Sequence, residues 1–426
     1  MDINKELIAF LDRSPTCFHA VDNIRRTLKE NGYRELSEAE HWDLSAGNYF
    51  CTRNDSSLIA FRIPQGEWNG FMIGAAHSDS PAFKIKENPD IHKDGMTVLN
   101  VEKYGGMLCA PWFDRPLSAA GRAVVKENGR LVTKLINIDR DLLVIPSLAI
   151  HMNRKANEEA SYNVQEDMKP LLTGGEKSFM AVVAQETGIR EEDILGYDLY
   201  VCPRTRGTVW GAENEFISAP HLDDLQCAFG NLRGFMEAEE TAAVPVYALF
   251  DNEEVGSRTK QGADSTFLED VLGRIAESCN KEYRVCAACS FMVSADNAHA
   301  VHPNYSGKAD PVNRPAINGG IVLKFSGNQK YTSDAVSAAV FRSVCEKADV
   351  PVQVFTNRSD MVGGSTLGNI SNSHVSLHTV DIGLPQLAMH SPWETAGVRD
   401  TEYLVRAMKA FFSSSLAVED GAIRIG

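Results

Sequence analysis

Apolar residues recur at helical spacing over positions 2–12 and 18–31, with Ser14-Pro15-Thr16 between the two stretches and Gly32 after the second. That pattern predicts two amphipathic helices at the start of the chain. Short β-type runs follow at 49–52, 57–63 and 70–76, separated by turn signals at Asn54-Asp55 and Pro64-Gln65-Gly66. From about Lys84 to Glu215 the pattern changes to β-rich segments, among them 96–102, 117–125 and 131–138, so an inserted domain is expected. Within it the apolar run 142–150 leads to His151, and the polar stretch 157–170 is expected to be a mobile loop. Strand and helix patterns then alternate: Phe216 leading into a helix to about Glu239, a strand at 244–250, a helix at 266–279, strands at 291–295 and 321–325, a helix at 333–348, a strand at 351–356 and a closing helix at 401–413. The fold class expected is α/β. Residues 1–84 with 216–426 would form one domain, and residues 85–215 a β-rich insertion.

Composition narrows the classes of function. A chain of 426 residues with 43% hydrophobic and 23% charged side chains is an ordinary globular sequence, long enough for two domains or one large domain with an insertion. Its net charge of −15 argues against a nucleic-acid surface, which needs basic stripes. The first dozen residues carry acids where an export signal needs bases, and no run of eighteen apolar residues occurs, so a soluble cytoplasmic protein with no membrane partner is expected. Nine cysteines in scattered, mostly apolar contexts fit a reducing compartment, and the lone pair Cys286 and Cys289 lacks the second pair of a zinc knuckle.

The chemistry concentrates where apolar runs end. Val244 to Phe250 is followed by Asp251-Asn252-Glu253-Glu254, the run ending at Ala76 by His77-Ser78-Asp79, the run 291–295 by Asp296, and Pro385 to Met389 by His390, while Asp223 opens a helix. Open α/β sheets gather their ligands at the C-terminal ends of strands. Singly these residues are ordinary; a His-x-Asp pair can be structural, and adjacent glutamates are often a solvated loop pair. Together they supply two imidazoles and several carboxylates, a mixed nitrogen and oxygen set suited to zinc, manganese or cobalt. Two cations bridged by one carboxylate would leave a neighbouring glutamate free to move protons. The glycine loop Gly363-Gly364-Ser365-Thr366 lacks the Gly-Lys-Ser/Thr ending of a phosphate-binding loop and the spacing of a dinucleotide site.

The motifs His77-Ser-Asp79-Ser-Pro, Ile145-Pro-Ser-Leu-Ala-Ile-His151, Leu222-Asp223, Asp251-Asn-Glu253-Glu254-Val-Gly-Ser, Ser294-Ala-Asp296 with Ala-His-Ala-Val-His-Pro-Asn-Tyr305, and Leu387-Ala-Met-His390-Ser occur in this order along nearly the whole chain. In this the chain resembles the aspartyl aminopeptidases, a family of dimetal metallo-aminopeptidases. The resemblance implies a mixed-sheet zinc-exopeptidase (phosphorylase/hydrolase-like) catalytic domain with an inserted β-rich dimerisation domain. It implies two divalent metal ions, zinc first and cobalt or manganese as alternatives, with Asp223 bridging them, His77 and Asp296 on one, and Glu254 and His390 on the other. Glu253 would be the general base, Asp79 would support the metal site, and Lys324 would meet an acidic substrate side chain, although a lysine ending a strand is more often a solvated edge charge. The implied activity is release of an N-terminal residue, preferentially Asp or Glu, from short peptides by attack of a metal-bridging hydroxide. A dimetal amidase or deacylase acting on non-peptide amides is the alternative. Dimers formed through the insertion would assemble into a tetrahedral dodecamer in which His151 reaches a neighbour's site to stabilise the oxyanion. Family members often carry Arg-Leu-Asp-Asn at the bridging acid, whereas this chain has His221-Leu222-Asp223-Asp224, which leaves Asp224 as an alternative ligand.

Overall fold

The computed structural model describes residues 2–420 and 422–426, so Met1 and Gly421, which fall within the first expected domain, lie outside the described residues. A nine-stranded mixed sheet runs in the order Arg34–Leu36, Gly47–Arg53, Ser57–Ile63, Val244–Phe250, Phe71–His77, Phe291–Ala295, His378–Gly383, Ile321–Phe325 and Val352–Thr356. Its four central strands, 244–250, 71–77, 291–295 and 378–383, are mutually parallel. Every residue of 71–77, 244–250 and 291–295 is buried, which is why these strands read as uninterrupted apolar runs.

Helices cover both faces. Leu222–Glu237, Asp400–Phe412, Ile3–Asp12 and Ala335–Lys347 bury Leu225, Phe235, Phe411, Phe412, Phe10 and Phe341 in one core, while Phe267–Ser278 buries Phe267, Leu272 and Ile275 in another with Trp42 and Phe61. The opening helices predicted at 2–12 and 18–31 form at Ile3–Asp12 and Cys17–Glu30. Asp2 caps the first of them by accepting the Asn4 N–H at 3.1 Å.

A six-stranded antiparallel sheet, ordered Arg130–Asn137, Leu117–Glu127, Ile194–Pro203, Ala82–Lys93, Met96–Tyr104 and Leu171–Thr173, has its own core around Phe83, Trp112 and Phe179. Its connection back to the large sheet pairs Thr208–Trp210 with Phe216–Ala219. The stretch expected to be a mobile loop at 157–170 contains a short helix, Val164–Asp167, whose cap Asn163 accepts the Gln165 N–H. Strand His378–Gly383 lies inside the main sheet although no strand is predicted there; it reads His-Thr-Val-Asp-Ile-Gly, with only two aliphatic residues, Val380 and Ile382, separated by Asp381. Among the described residues no helix is long and apolar enough to cross a membrane.

Candidate metal centre

The C-terminal ends of the four parallel strands deliver the site. His77 ends the first, Glu253 and Glu254 follow Phe250, Asp296 follows Ala295, and His390 lies seven residues beyond Gly383 after a short strand Pro385–Leu387. Asp223 enters from the start of its helix, where the backbone at Asp223 and Asp224 is not yet helical and their peptide bond is cis.

Donor atoms of His77, Asp223 and Asp296 lie within 4.8 Å of one another, and so do those of Asp223, Glu254 and His390. Asp223 is common to both groups. Its Oδ1 stands 3.5 Å from His77 Nε2 and its Oδ2 3.5 Å from His390 Nε2. Glu254 Oε1 is 3.3 Å from the same His390 nitrogen, and Asp296 Oδ1 is 4.0 Å from His77 Nε2. Glu253 joins His77 and Glu254 in a third such group. Asp224 points elsewhere: its Oδ2 accepts the backbone N–H of His77 at 3.1 Å.

The donors are held by a tier of hydrogen bonds. His77 Nδ1 meets the Asp79 carbonyl at 3.0 Å, and His390 Nδ1 meets the Gly106 carbonyl, so each imidazole turns its Nε2 toward the carboxylates. Asp79 is buried and accepts three donors: Glu253 N–H at 3.1 Å, Glu254 N–H at 3.2 Å and the Tyr104 hydroxyl at 2.6 Å. It therefore fixes the turn that carries both glutamates. Glu394, to which the sequence assigns no role, does the same for another pair, accepting His390 N–H at 2.7 Å on Oε1 and Asp223 N–H at 2.9 Å on Oε2 while only 2% exposed. A carboxylate four residues after a candidate ligand is the sole hint of it in the sequence.

The electrostatics favour a cation. Burial alone would pull His77 and His390 down, yet the Asp223, Asp79 and Glu254 carboxylates outweigh it, raising His77 well above its ordinary value and His390 to about 11. Burial pushes Glu253 well up and Glu254 up to about 7, and it raises Asp296. Asp223 is held below the usual carboxylate range because the two imidazoles overcome its burial. A cavity so crowded with carboxylates stabilises any positive charge placed in it. Among the described residues, Asp223 Oδ1 and Glu254 Oε1 are buried with no hydrogen-bond partner. Buried carboxylate oxygens without donors are costly unless something else satisfies them, so the residues fit bound divalent cations.

These residues line a cleft of about 330 Å³ together with Asn297, His299, Lys324, Tyr331, Phe355, Thr366 and Met389. Lys324 is only 3% exposed, contrary to the usual edge lysine: its Nζ donates to the Asn297 carbonyl at 2.8 Å and lies 3.5 Å from Asp296 Oδ2. His151 lies on an exposed turn of the segment after the 142–150 run and is not among the described residues lining the cleft.

Residues 10–412 match the M18 family, described as aminopeptidase I zinc metalloproteases. The chain is similar to a probable M18 family aminopeptidase 2 of Clostridium acetobutylicum, 46% identical over 428 residues that cover 97% of this chain and 99% of the relative. In structure it is similar to a chain of the Ape4 and Nbr1 complex, with TM-score 0.93, 36% identity and coverage of 97% of this chain and 85% of the other. It also resembles the S. cerevisiae mApe1 dodecamer subunit, with TM-score 0.86, 27% identity and 96% coverage of each chain.

Proposed function

The chain belongs to the M18 family of zinc metalloproteases, the aspartyl aminopeptidase family, and from that membership we propose that this aminopeptidase uses a two-metal site to release acidic N-terminal residues from short peptides. The observation that carries the reading is the single carboxylate, Asp223, shared by two donor groups, His77 with Asp296 and Glu254 with His390. In this reading those residues hold two divalent cations, zinc by family, with cobalt and manganese suited to the same donors. When bound, the ions supply Lewis acidity toward the scissile carbonyl and lower the pKa of a nearby water. Glu253, beside the cluster but needed by neither of the two groups that share Asp223, takes the proton from the attacking water and returns it to the leaving amine. Asp79 keeps Glu253 and Glu254 aimed through their backbone N–H groups. Lys324 places a buried positive charge in the cleft wall, which supports a preference for an acidic side chain.

Residues 1–84 with 216–426 form the catalytic unit in this reading and residues 85–215 the dimerisation insertion. Leu148, Ile150 and Met152, which flank His151, are 58%, 49% and 75% exposed, and an exposed apolar run of this kind suits burial against another subunit. The likeness to a dodecameric relative supports a homo-oligomer of dimers in which His151 completes a neighbour's site as an oxyanion donor. Nine free cysteines support a cytoplasmic location. The test is amino-acid release from peptides headed by Glu, Asp or Leu and from N-acylated amino acids, with and without chelator. Chelator-sensitive release that is fastest from the acidic peptides is expected; preference for the acylated substrates would establish an amidase instead. Reassembling mixed Glu253→Gln and His151→Ala chains should recover activity, and mixed assemblies without recovery would confine His151 to its own chain.

A further inference from the structure

Strand His378–Gly383 contains one buried charge that no part of the chemistry above uses. Asp381 is fully buried in the middle of the main sheet, paired in register with Ser294 of the neighbouring strand, at a position where an aliphatic side chain is the usual occupant. Its carboxylate is well supplied with donors. Oδ2 accepts both the N–H and the hydroxyl of Thr332, at 2.5 and 2.6 Å, and Oδ1 accepts the hydroxyl of Thr366 at 2.7 Å. Its backbone N–H donates to Ser333 Oγ at 2.9 Å.

The partners belong to two separate loops that wall the cleft. Thr332 follows Tyr331, which lines it, and Thr366 lines it directly, at the end of the irregular stretch Gly363-Gly364-Ser365. Tyr331 in turn lies against Lys324, whose Nζ is 5.5 Å from the ring centroid. Close packing ties the second loop further: a Cβ at Gly368 would stand 2.7 Å from Asp381 Oδ1 and 2.9 Å from Ser294 Cβ, so the helix Leu367–Ser371 can begin there only with its backbone against the carboxylate. Asp381 itself does not line the cleft.

We propose that Asp381 is a positioning residue for substrate selection, fastening the Tyr331–Thr332 loop and the Gly363–Thr366 loop to one carboxylate and so setting the wall that faces the substrate's N-terminal side chain. A buried charge with three donors is a costly device for stability alone, since an aliphatic residue of similar size would fill the strand. What it supplies is fixed direction for two loops that have no strand ladder of their own. A misplaced wall is expected to weaken substrate binding by about tenfold to a hundredfold, the range of one lost hydrogen bond to a charged group.

The inference rests on the aminopeptidase reading and is tested on the metal-loaded full chain with Asp381→Asn, Thr366→Val and the double variant. Steady-state kinetics on Glu- and Leu-headed peptides is combined with calorimetric binding of free glutamate, a product whose affinity needs no turnover. The expected result is a rise in KM and a matching loss of glutamate affinity, with kcat and metal content within about twofold of wild type, as when binding common to ground and transition states is removed. Thr366→Val should show a smaller change in the same direction, and the double variant little more than Asp381→Asn alone, because the Thr366 hydroxyl is one of the donors that Asp381 gathers. Unchanged KM and glutamate affinity in Thr366→Val, which loses one hydroxyl and is the variant least disruptive to folding, would overturn the proposal; so would additive losses. Absence of amino-acid release by the wild type would instead sink the aminopeptidase reading, whereas release by wild type with unaltered variants sinks the role of Asp381 alone.

Discussion

Removing Glu394 should loosen two candidate metal donors at once without changing either side chain. Its carboxylate is 2% exposed and is the acceptor for the backbone N–H groups of Asp223 and His390, at 2.9 and 2.7 Å. In Glu394→Ala both N–H groups lose their acceptor, that of Asp223 buried and that of His390 part-buried, at about 1–3 kcal/mol each with the second toward the low end, so a stability loss of about 2–4 kcal/mol is expected from this source. Against a total of about 5–15 kcal/mol for an ordinary domain that is a large fraction. The consequence for metal follows from the same atoms. Asp223 is shared by both donor groups, and support residues of this kind typically change metal affinity about 10- to 100-fold. Urea denaturation with zinc and with chelator, and zinc titration against a competing chromophoric chelator, measure the two effects. Glu394→Gln, which keeps one acceptor oxygen, should fall between wild type and Glu394→Ala in both. Zinc affinity within about twofold of wild type in Glu394→Ala would refute the positioning argument, even if stability fell.

Glu253→Gln should keep its metal and lose turnover by about 10²- to 10⁴-fold, the usual contribution of a general base; loss of metal from this variant would make Glu253 a ligand. Lys324→Ala should slow Glu- and Asp-headed peptides about 10- to 100-fold more than Leu-headed ones, as expected for loss of a charged hydrogen bond, and an equal effect on both classes would reduce Lys324 to a partner of Asp296. Away from the site, His19 is buried with its Nδ1 2.9 Å from Thr16 Oγ1, and burial, aided by Arg26, lowers its pKa from 6.5 to about 4. The unfolded chain therefore takes up this proton before the folded one does, so the stability His19 contributes is complete above pH 6.5 and is lost as pH falls toward 4, by up to about 3 kcal/mol. Urea midpoints at pH 7.5 and 5 should fall less steeply in His19→Gln than in wild type; equal slopes would discard the assignment.

The parts of the site legible in the sequence are those set by strand burial. Val244–Phe250 and Phe291–Ala295 are covered on both faces, so they appear as apolar runs, and the acids that end them stand out. His378–Gly383 is covered too, but it reads His-Thr-Val-Asp-Ile-Gly, with only Val380 and Ile382 aliphatic, so no apolar run marks it, and Asp381, which fastens the cleft wall, is among the residues that conceal it. Asp223 and Asp224 cannot be told apart by type or spacing. Backbone geometry separates them, turning Asp223 toward His77 and His390 and Asp224 toward the His77 N–H. Lys324 reads as a solvated edge charge because its strand neighbours say nothing of Asn297 and Asp296, which reach it from another strand's end. Glu394 binds only backbone N–H groups, so its partners leave no side-chain signature for the sequence to show.

If one carboxylate, Asp223, serves two cations, amino-acid release depends on both of them and on that residue. The direct measurement is zinc titration of metal-free wild type and Asp223→Asn, following bound metal per chain and free amino acid released from a Glu-headed peptide. Two zinc ions per wild-type chain are expected, with release restored as they bind, and in Asp223→Asn weakened binding at both positions with little release. Release that persists in metal-free protein, or an Asp223→Asn chain that still binds two zinc ions as tightly as wild type, would rule out a shared bridging carboxylate as the basis of catalysis.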